Sequence, residues 1–377
     1  VLFLAHPYQA EILTFRDAFP FYATASMLGC AGYYLSASTN RRHVVAGIAM
    51  IIAGLTIYQS FVNFLAMAWL LEALLLSLLP AFRERRPNWN IKLVQTACSA
   101  LVSMLIYFAI IKALDALQGT AAKGRATFIN LDDVPSRAQE ILFVFKQFAK
   151  VDLISPAPVA SGIVMALASG ALALLLVKGA TYWRFAAVPV FSLLLLLCSV
   201  GLISLGKDFW PMPRTLVAVA LIPAFAVCVI LTLTQSRLLA NGVIVLATLL
   251  VISFIGLGTR VAVDQVRINH RDALFASSLA ARVSLPPGTR LAIVGDPNNA
   301  LGLTTVRGDM NISAYWARWS KVEAISENIG YQVDAPNDEE WNRSVDHCNS
   351  PGTETWPGMR SAQELGNGLV VVCLSRP

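Results

Sequence analysis

Charged residues are scarce in this chain. They make up 14% of its 377 residues, whereas 56% of the residues are hydrophobic, and soluble domains carry roughly 25% charged residues. The deficit is uneven, because the charges between Phe19 and Leu257 are confined to short clusters, while the residues after Thr259 have an ordinary soluble composition. The composition excludes a wholly soluble protein and predicts a transmembrane helical domain at residues 1–258 and a soluble domain at 259–377.

The sequence also lacks the motifs of several function classes. It contains no glycine-rich dinucleotide or P-loop run, no serine nucleophile elbow and no His/Cys/carboxylate spacing typical of a metal site. The net charge of +6 does not indicate a nucleic-acid partner, because the basic residues cluster between apolar segments, where they report membrane orientation. We therefore expect no metal, no cofactor and no nucleic acid, and the lipid bilayer as the main surroundings.

Apolar segments near the ~20 residues that a membrane-spanning helix needs recur along the first domain. The run from Val44 to Leu79 is too long for one such helix, and we expect it to break at Tyr58-Gln59-Ser60. The predicted helices are Phe19–Leu35, Val44–Ile57, Phe61–Leu79, Lys92–Leu114, Pro158–Val177, Phe185–Leu205, Thr215–Leu233 and Leu238–Leu257. This pattern predicts a polytopic α-helical membrane protein with about eight transmembrane helices.

Basic connections set the expected orientation of these helices. They lie at 40–43, 83–92, 178–184 and Arg237. With about eight helices they all fall on one face, which the positive-inside rule makes cytoplasmic. The extracytoplasmic face then receives the opening segment, the turn at Tyr58, the loops 115–157 and 206–214, and the C-terminal domain. Within the first of these loops, the amphipathic stretch from Arg137 to Val151 predicts a helix lying in the membrane interface.

Three charged residues of the opening segment, Glu11, Arg16 and Asp17, suit chemistry at the outer face. A carboxylate there can deprotonate an acceptor hydroxyl, and the guanidinium can hold a phosphate. The alternative is an amphipathic segment whose charges meet only water or lipid headgroups.

The loop 206–214 combines two cations with an aromatic side chain beside a helix start: Lys207, Trp210 and Arg214. A lipid-phosphate site would have this composition, with the helix N-terminus adding its dipole. An interface anchor with snorkelling flanks would have the same composition.

The turn between the second and third predicted helices carries Tyr58, Gln59 and Asn63. The amides can bind sugar hydroxyls, although a Tyr at this depth is also an ordinary interface residue.

The C-terminal domain has the pattern of a small α/β fold. A helix is predicted over Ala262–Val283, and strands are predicted over Arg290–Val294 and Leu369–Leu374. Cys348 and Cys373 form an isolated pair, which suggests a disulfide in an oxidising compartment. Two buried thiols are the alternative.

Several segments of this sequence are similar to a known family. They are the run Glu11–Tyr22, the hairpin Ala53–Phe61, Met212-Pro213-Arg214 at a helix start, and the terminal helix Asp264–Val283 leading into a strand. Together they resemble the membrane glucosyltransferases that decorate O-antigen in serotype conversion. The resemblance covers the membrane domain and the start of the soluble one.

The resemblance implies a GT-C-like, multi-pass glycosyltransferase of the bacterial inner membrane whose C-terminal domain is extracytoplasmic. It would move a sugar, glucose by family, from a polyprenyl-phosphate donor to a lipid-linked glycan such as the O-antigen of lipopolysaccharide, without a cofactor. The implied roles are acceptor deprotonation by Glu11 or Asp17, phosphate binding by Arg214, Lys207 or Arg16, and sugar binding by Tyr58, Gln59, Asn63 and Trp210. Members of this class usually keep a catalytic acid in the first outer loop. We expect further helices upstream of Val1, so a base in that region is the alternative.

Two other function classes remain open at this point. A transporter or flippase of lipid-linked sugars usually has internal repeats and broken helices in matching positions, and we find no such symmetry. A membrane scaffold whose soluble domain binds partners is the second rival. Glu72, an acid within a predicted helix on its cytoplasmic side, fits a functional role and a structural hydrogen bond equally well.

Overall fold

The chain divides into two compact units, Val1–Thr259 and Arg260–Pro377. A computed structural model describes residues 5, 18–58, 61–79, 82, 84, 88–118, 129–150, 158–178, 184–201, 204, 216–295, 313–315 and 318–375.

Helices make up most of the described part of the first unit, and the last of them continues past Thr259 into the second unit. They are α1 (Ala18–Ser36), α2 (Arg41–Ile57), α3 (Phe61–Leu78), α4 (Trp89–Gln118), α5 (Val134–Lys150), α6 (Pro158–Lys178), α7 (Arg184–Val200), α8 (Leu221–Leu233) and α9 (Arg237–Arg282). Four of them, α3, α4, α6 and α9, are long and apolar enough to cross a membrane, and shorter apolar helices lie at Val188–Val200 and Ala218–Leu233. These apolar helices confirm the prediction of a membrane protein, while the number of about eight spans stays a prediction.

The turn between α2 and α3 falls where the sequence predicts it. Tyr58 ends α2 with an extended backbone, φ −149°, and its N–H donates to the Gly54 carbonyl at 2.9 Å. At the other end of α2, the Asn40 side chain accepts a hydrogen bond from the Arg42 N–H at 3.0 Å, which caps the helix. Hydrogen bonds at both ends therefore delimit α2, which is shorter than its neighbours α1 and α3.

The central element of the first unit is α3. It contacts α1, α2, α4, α7 and α8. Its buried side chains include Met67, Leu70, Leu71, Leu74 and Leu78. Since this helix is apolar on every side, burial within the bundle is its expected place.

Glycines allow α1 and α2 to pack closely. A Cβ added at Gly47 would lie 2.7 Å from the Gly32 carbonyl oxygen and 2.7 Å from Ser36 Oγ. A Cβ at Gly32 would lie 2.8 Å from the Gly47 carbonyl oxygen. Small residues at such contacts are how helices approach one another in membranes, where dispersion rather than the hydrophobic effect holds them together.

The second unit contains a sheet with the strand order β1-β3-β2. Strands β1 (Arg290–Val294) and β3 (Leu369–Cys373) are parallel, and β2 (Ala362–Glu364) is antiparallel to β3. Helix α11 (Asp338–Asn349) packs on β1 and β3, and α10 (Arg318–Ile329) packs on β1.

Both faces of this sheet are covered. Val294 and Val371 pack with Cys348 of α11 on one face, whereas Ile293 and Val372 pack with α10 and the end of α9 on the other. The unbroken apolar runs of β1 and β3 are expected of strands that are buried on both faces of the sheet.

The last turns of α9 hold the segment 313–315 in place. Asp272 is 8% exposed, and its carboxylate accepts hydrogen bonds from Ser313 Oγ and the Ala314 N–H, each at 2.7 Å. Burial raises the pKa of the Asp272 carboxyl, against the opposing effect of these two hydrogen bonds. Tyr315 Oη donates to the Asp272 carbonyl at 3.2 Å. A buried carboxylate satisfied in this way is a structural anchor.

Several predicted boundaries were wrong. The separate helices predicted at Leu238–Leu257 and Ala262–Val283 are one helix, α9, because the intervening residues contain no proline and Asp264 pairs with Arg260 and Arg267 at helical spacing. The described part of the predicted span Phe185–Leu205 is α-helical only to Val200, and the described part of the span predicted at Thr215–Leu233 has a 3₁₀ turn over Val217–Ala220 before its α-helix.

Candidate functional site

Tyr58 lies at the end of the bundle that the sequence assigns to the outer face. Its ring packs edge-on against Tyr22, near the start of α1, with centroids 5.4 Å apart. Tyr22 is buried and Tyr58 is half-buried. The pair fixes the position of the Tyr58 ring while leaving part of it accessible.

Asn63 lies in the first turn of α3 and is covered by the end of α7. It is 2% exposed. Gly201, directly after α7, has φ +42°, and a Cβ added there would fall 1.8 Å from Asn63 Oδ1. The amide therefore packs against a position that only glycine can occupy in this conformation.

Arg137 connects α5 to the chain that follows α7. Its side chain is buried, its Nε lies 2.7 Å from Glu140 Oε2, and its Nη1 donates to the Ser204 carbonyl at 3.1 Å. Sequence reasoning missed this anchor, although the i,i+3 spacing of Arg137 and Glu140 is a visible pairing signal.

Helix α5 exposes large apolar side chains, and its position in the membrane interface stays a prediction. Leu142 is 54% exposed and Phe143 is 57% exposed, whereas Val144 is buried. Before the helix, Asp132 and Asp133 are exposed in a 3₁₀ turn, and the Ser136 hydroxyl donates to the Asp133 carbonyl at 2.8 Å. These acids belong to the start of the helix.

The described residues at this end therefore supply an aromatic ring, an amide and a buried arginine. The other predicted site residues lie outside the described residues. They are Glu11, Arg16, Asp17, Gln59, Lys207, Trp210 and Arg214. Within the described part of the chain, no group of three or more His, Cys, Asp or Glu side chains is placed to hold a metal ion.

In the second unit, Cys348 of α11 and Cys373 of β3 form a disulfide, with their Cα atoms 5.5 Å apart. On α10, Lys321 is buried and donates from Nζ to the carbonyls of Ile293 and Gly295 at 2.8 and 2.9 Å. These contacts hold the carboxyl end of β1, where Gly295 has φ +98°.

Comparison with known proteins gives a family match. The family model described as Glucosyl transferase GtrII matches residues 1–257. Neither the curated proteins nor the solved structures that were compared match this chain.

Proposed function

The chain belongs to the GtrII glucosyl transferase family, and we propose that it moves glucose from a polyprenyl-phosphate donor to a lipid-linked glycan outside the cytoplasm. Membership of the family implies a glucosyltransferase of O-antigen modification. Beyond family membership, we propose the lipid donor, the glycan acceptor, the location in the inner membrane and the outward orientation.

The observation that carries the proposal is the extent of the family match. It covers residues 1–257, which is nearly the whole of the first unit, Val1–Thr259. The helices, the Tyr58 turn and the segments with the predicted charges all lie within it. A polyprenyl-phosphate sugar keeps its lipid in the bilayer and its anomeric carbon at the interface, so a polytopic enzyme is the expected partner for it.

The reaction we propose is a direct displacement. The acceptor hydroxyl oxygen attacks the anomeric carbon, and Glu11 or Asp17 takes the hydroxyl proton. The bond between the anomeric carbon and the phosphate oxygen breaks, and the polyprenyl phosphate leaves with the electron pair. Arg214, with Lys207 or Arg16, neutralises the charge on that phosphate. A single displacement inverts the configuration at the anomeric carbon.

The sugar would meet the aromatic and amide groups of the Tyr58 turn. The half-buried Tyr58 ring, held by Tyr22, offers an apolar face to a pyranose, and Gln59 and Trp210 join it in the proposal. Asn63, covered by Gly201, would form the wall behind them and hold the end of α7, from which the Lys207–Arg214 loop continues.

A transfer assay with purified full-length chain tests the proposal. Radiolabelled polyprenyl-phosphate glucose and a lipid-linked glycan are the substrates, and label in the glycan is the readout. Arg214→Ala should reduce kcat/KM by about tenfold or more, because a charge-assisted hydrogen bond contributes roughly 1.5–3 kcal/mol. Arg237→Ala is the matched control, since it removes the same charge from an exposed residue on the opposite face.

The variants Glu11→Gln and Asp17→Asn show which of the two carboxylates is the base. Loss of proton removal lowers kcat with little change in donor binding, and one of the two should show this pattern. Wild-type turnover in both variants would place the base elsewhere, and movement of intact donor across the membrane without transfer would favour a flippase.

A further inference from the structure

A cavity of about 550 Å³ lies at the end of the first unit opposite Tyr58. It is enclosed by the end of α1, the start of α2, the last turns of α3 and the first turns of α4. Eight of its lining residues carry polar or aromatic groups: Tyr33, Tyr34, Ser38, His43, Glu72, Trp89, Lys92 and Thr96. The proposed glucosyl transfer uses none of them.

A carboxylate and aromatic rings share the wall of this cavity. Glu72 Oε2 accepts a hydrogen bond from Tyr33 Oη at 2.5 Å, and a carboxylate can accept several hydrogen bonds at once. Trp89 lies on the same lining. A carboxylate combined with aromatic faces is the chemistry that recognises an ammonium group.

A lysine and a histidine line the same cavity. Lys92 is half-buried at the start of α4, and His43 is exposed at the start of α2. The His43 ring is oriented by a contact of 3.2 Å between Nδ1 and Ser38 Oγ, and when Nδ1 accepts from the serine hydroxyl, Nε2 carries the proton and can donate to a ligand. An ammonium and an imidazole beside the first turns of two helices suit a phosphate.

The cavity also has a lipid-facing side. Tyr34, on α1, is 80% exposed and lines it, as do Leu35 and Leu76. A ligand whose polar head enters the cavity can therefore leave its acyl chains along the apolar surface of α1. The exposed Arg41 and Arg42 nearby add positive charge at the membrane surface.

We propose that this cavity binds the headgroup of a phospholipid that carries a primary ammonium, such as phosphatidylethanolamine. Its phosphate binds Lys92 and His43, and its ammonium donates to Glu72 beside the aromatic rings. The opposite charges of the cavity match those of the zwitterionic headgroup. In the proposed orientation the lipid belongs to the cytoplasmic leaflet.

Native mass spectrometry of the full chain in a non-ionic detergent tests this proposal without any substitution. The chain is titrated with phosphatidylethanolamine, phosphatidylcholine and phosphatidylglycerol of identical acyl chains. We expect phosphatidylethanolamine to bind at least fivefold more tightly than phosphatidylcholine, whose trimethylated nitrogen cannot donate a hydrogen bond to Glu72. Equal affinities for these two lipids, or a preference for phosphatidylglycerol, would overturn the proposal.

Single substitutions test the phosphate contact and the ammonium contact separately. Lys92→Ala should lower the affinity for all three lipids by about tenfold, because the contact with the phosphate is lost. Lys112→Ala, which removes a lysine from an exposed position farther along α4, is the matched control and should change nothing. Glu72→Gln should abolish the preference for phosphatidylethanolamine while retaining phosphate binding. If Lys92→Ala and Lys112→Ala bind alike, the site is wrong.

Two controls distinguish the source of the phosphate and the effect of misfolding. Free phosphoethanolamine at millimolar concentration should not displace the lipid, because the acyl chains contribute to its binding. Displacement would show a site for the soluble headgroup and contradict the lipid proposal.

Thermal unfolding of each variant is measured alongside the lipid titrations. If Glu72→Gln is unfolded, Tyr33→Phe replaces it and should reduce the preference for phosphatidylethanolamine, and an unchanged preference counts against the proposal.

Discussion

Replacing Gly47 by alanine tests whether α1 and α2 pack as closely as the structure shows. The added Cβ would lie 2.7 Å from the Gly32 carbonyl oxygen and 2.9 Å from the Ser36 backbone nitrogen. Two of the colliding groups are backbone atoms of α1, so no side-chain rotation relieves the contact. The helices must separate, and the packing on both sides of Gly47 is lost with them.

The expected cost follows from two opposing effects. Overpacking a tight contact costs about 1–3 kcal/mol, while alanine gains roughly 0.5–1 kcal/mol over glycine in a helix. The net loss is about 1–2 kcal/mol. At about 2–4 °C per kcal/mol for a domain of comparable length, the melting temperature should fall by ~2–8 °C.

The assay is thermal unfolding of the purified chain in detergent, followed by the loss of helical circular dichroism. Gly162→Ala is the matched control, because it lies within α6 with no atom within 4 Å of the added Cβ. It should be neutral or slightly stabilising. If Gly47→Ala melts at the same temperature as Gly162→Ala, the α1–α2 contact is not as described.

Three further predictions concern the second unit and the topology. Asp272→Ala should destabilise the second unit by about 1–3 kcal/mol, since buried donors lose their acceptor; chemical denaturation of the full chain measures this, and a neutral effect would refute the anchor. Protein purified without reductant should show no free thiol at Cys348 and Cys373 by mass spectrometry, and their bond, 25 residues apart, should contribute about 3 kcal/mol; two free thiols would contradict it. In intact cells, single cysteines should react with an impermeant label at Gly366 and not at Ser236, and the reverse pattern would invert the proposed topology.

Much of the helical fold follows from the sequence because length and hydropathy directly limit a membrane helix. The break at Tyr58 is an example, since the run around it is too long for one helix and its polar residues mark the turn. The continuity of α9 is not predictable from hydropathy, because apolar character is lost after Leu257 although the helix continues. Pairing of Asp264 with Arg260 and Arg267 shows that a helix can continue in polar surroundings.

In the second unit, the strands β1 and β3 are predictable from their apolar runs, whereas the short β2 is not. Helix α11 carries a signal that could have been used: Asn337 and Glu340 form a capping box, and that spacing is visible in the sequence. The order β1-β3-β2 depends on the parallel pairing of β1 with β3, which lie far apart in the chain, and no local pattern encodes that pairing.

The candidate site is less predictable than the fold. Composition indicates which side chains suit a phosphate or a sugar, but their mutual distances depend on how helices pack. Asn63 illustrates this: its type suits sugar binding, and its burial against Gly201 depends on the position of α7. The cavity around Glu72 likewise joins residues from four helices, which sequence spacing cannot bring together.

The identity of the donor tests the proposed function most directly. Purified full-length chain is given a lipid-linked glycan together with either polyprenyl-phosphate glucose or a nucleotide-linked glucose, and the mass of the glycan is measured. The proposal predicts the gain of one hexose with the lipid donor and no gain with the nucleotide donor. Transfer from the nucleotide donor, or no transfer from the lipid donor, would contradict it.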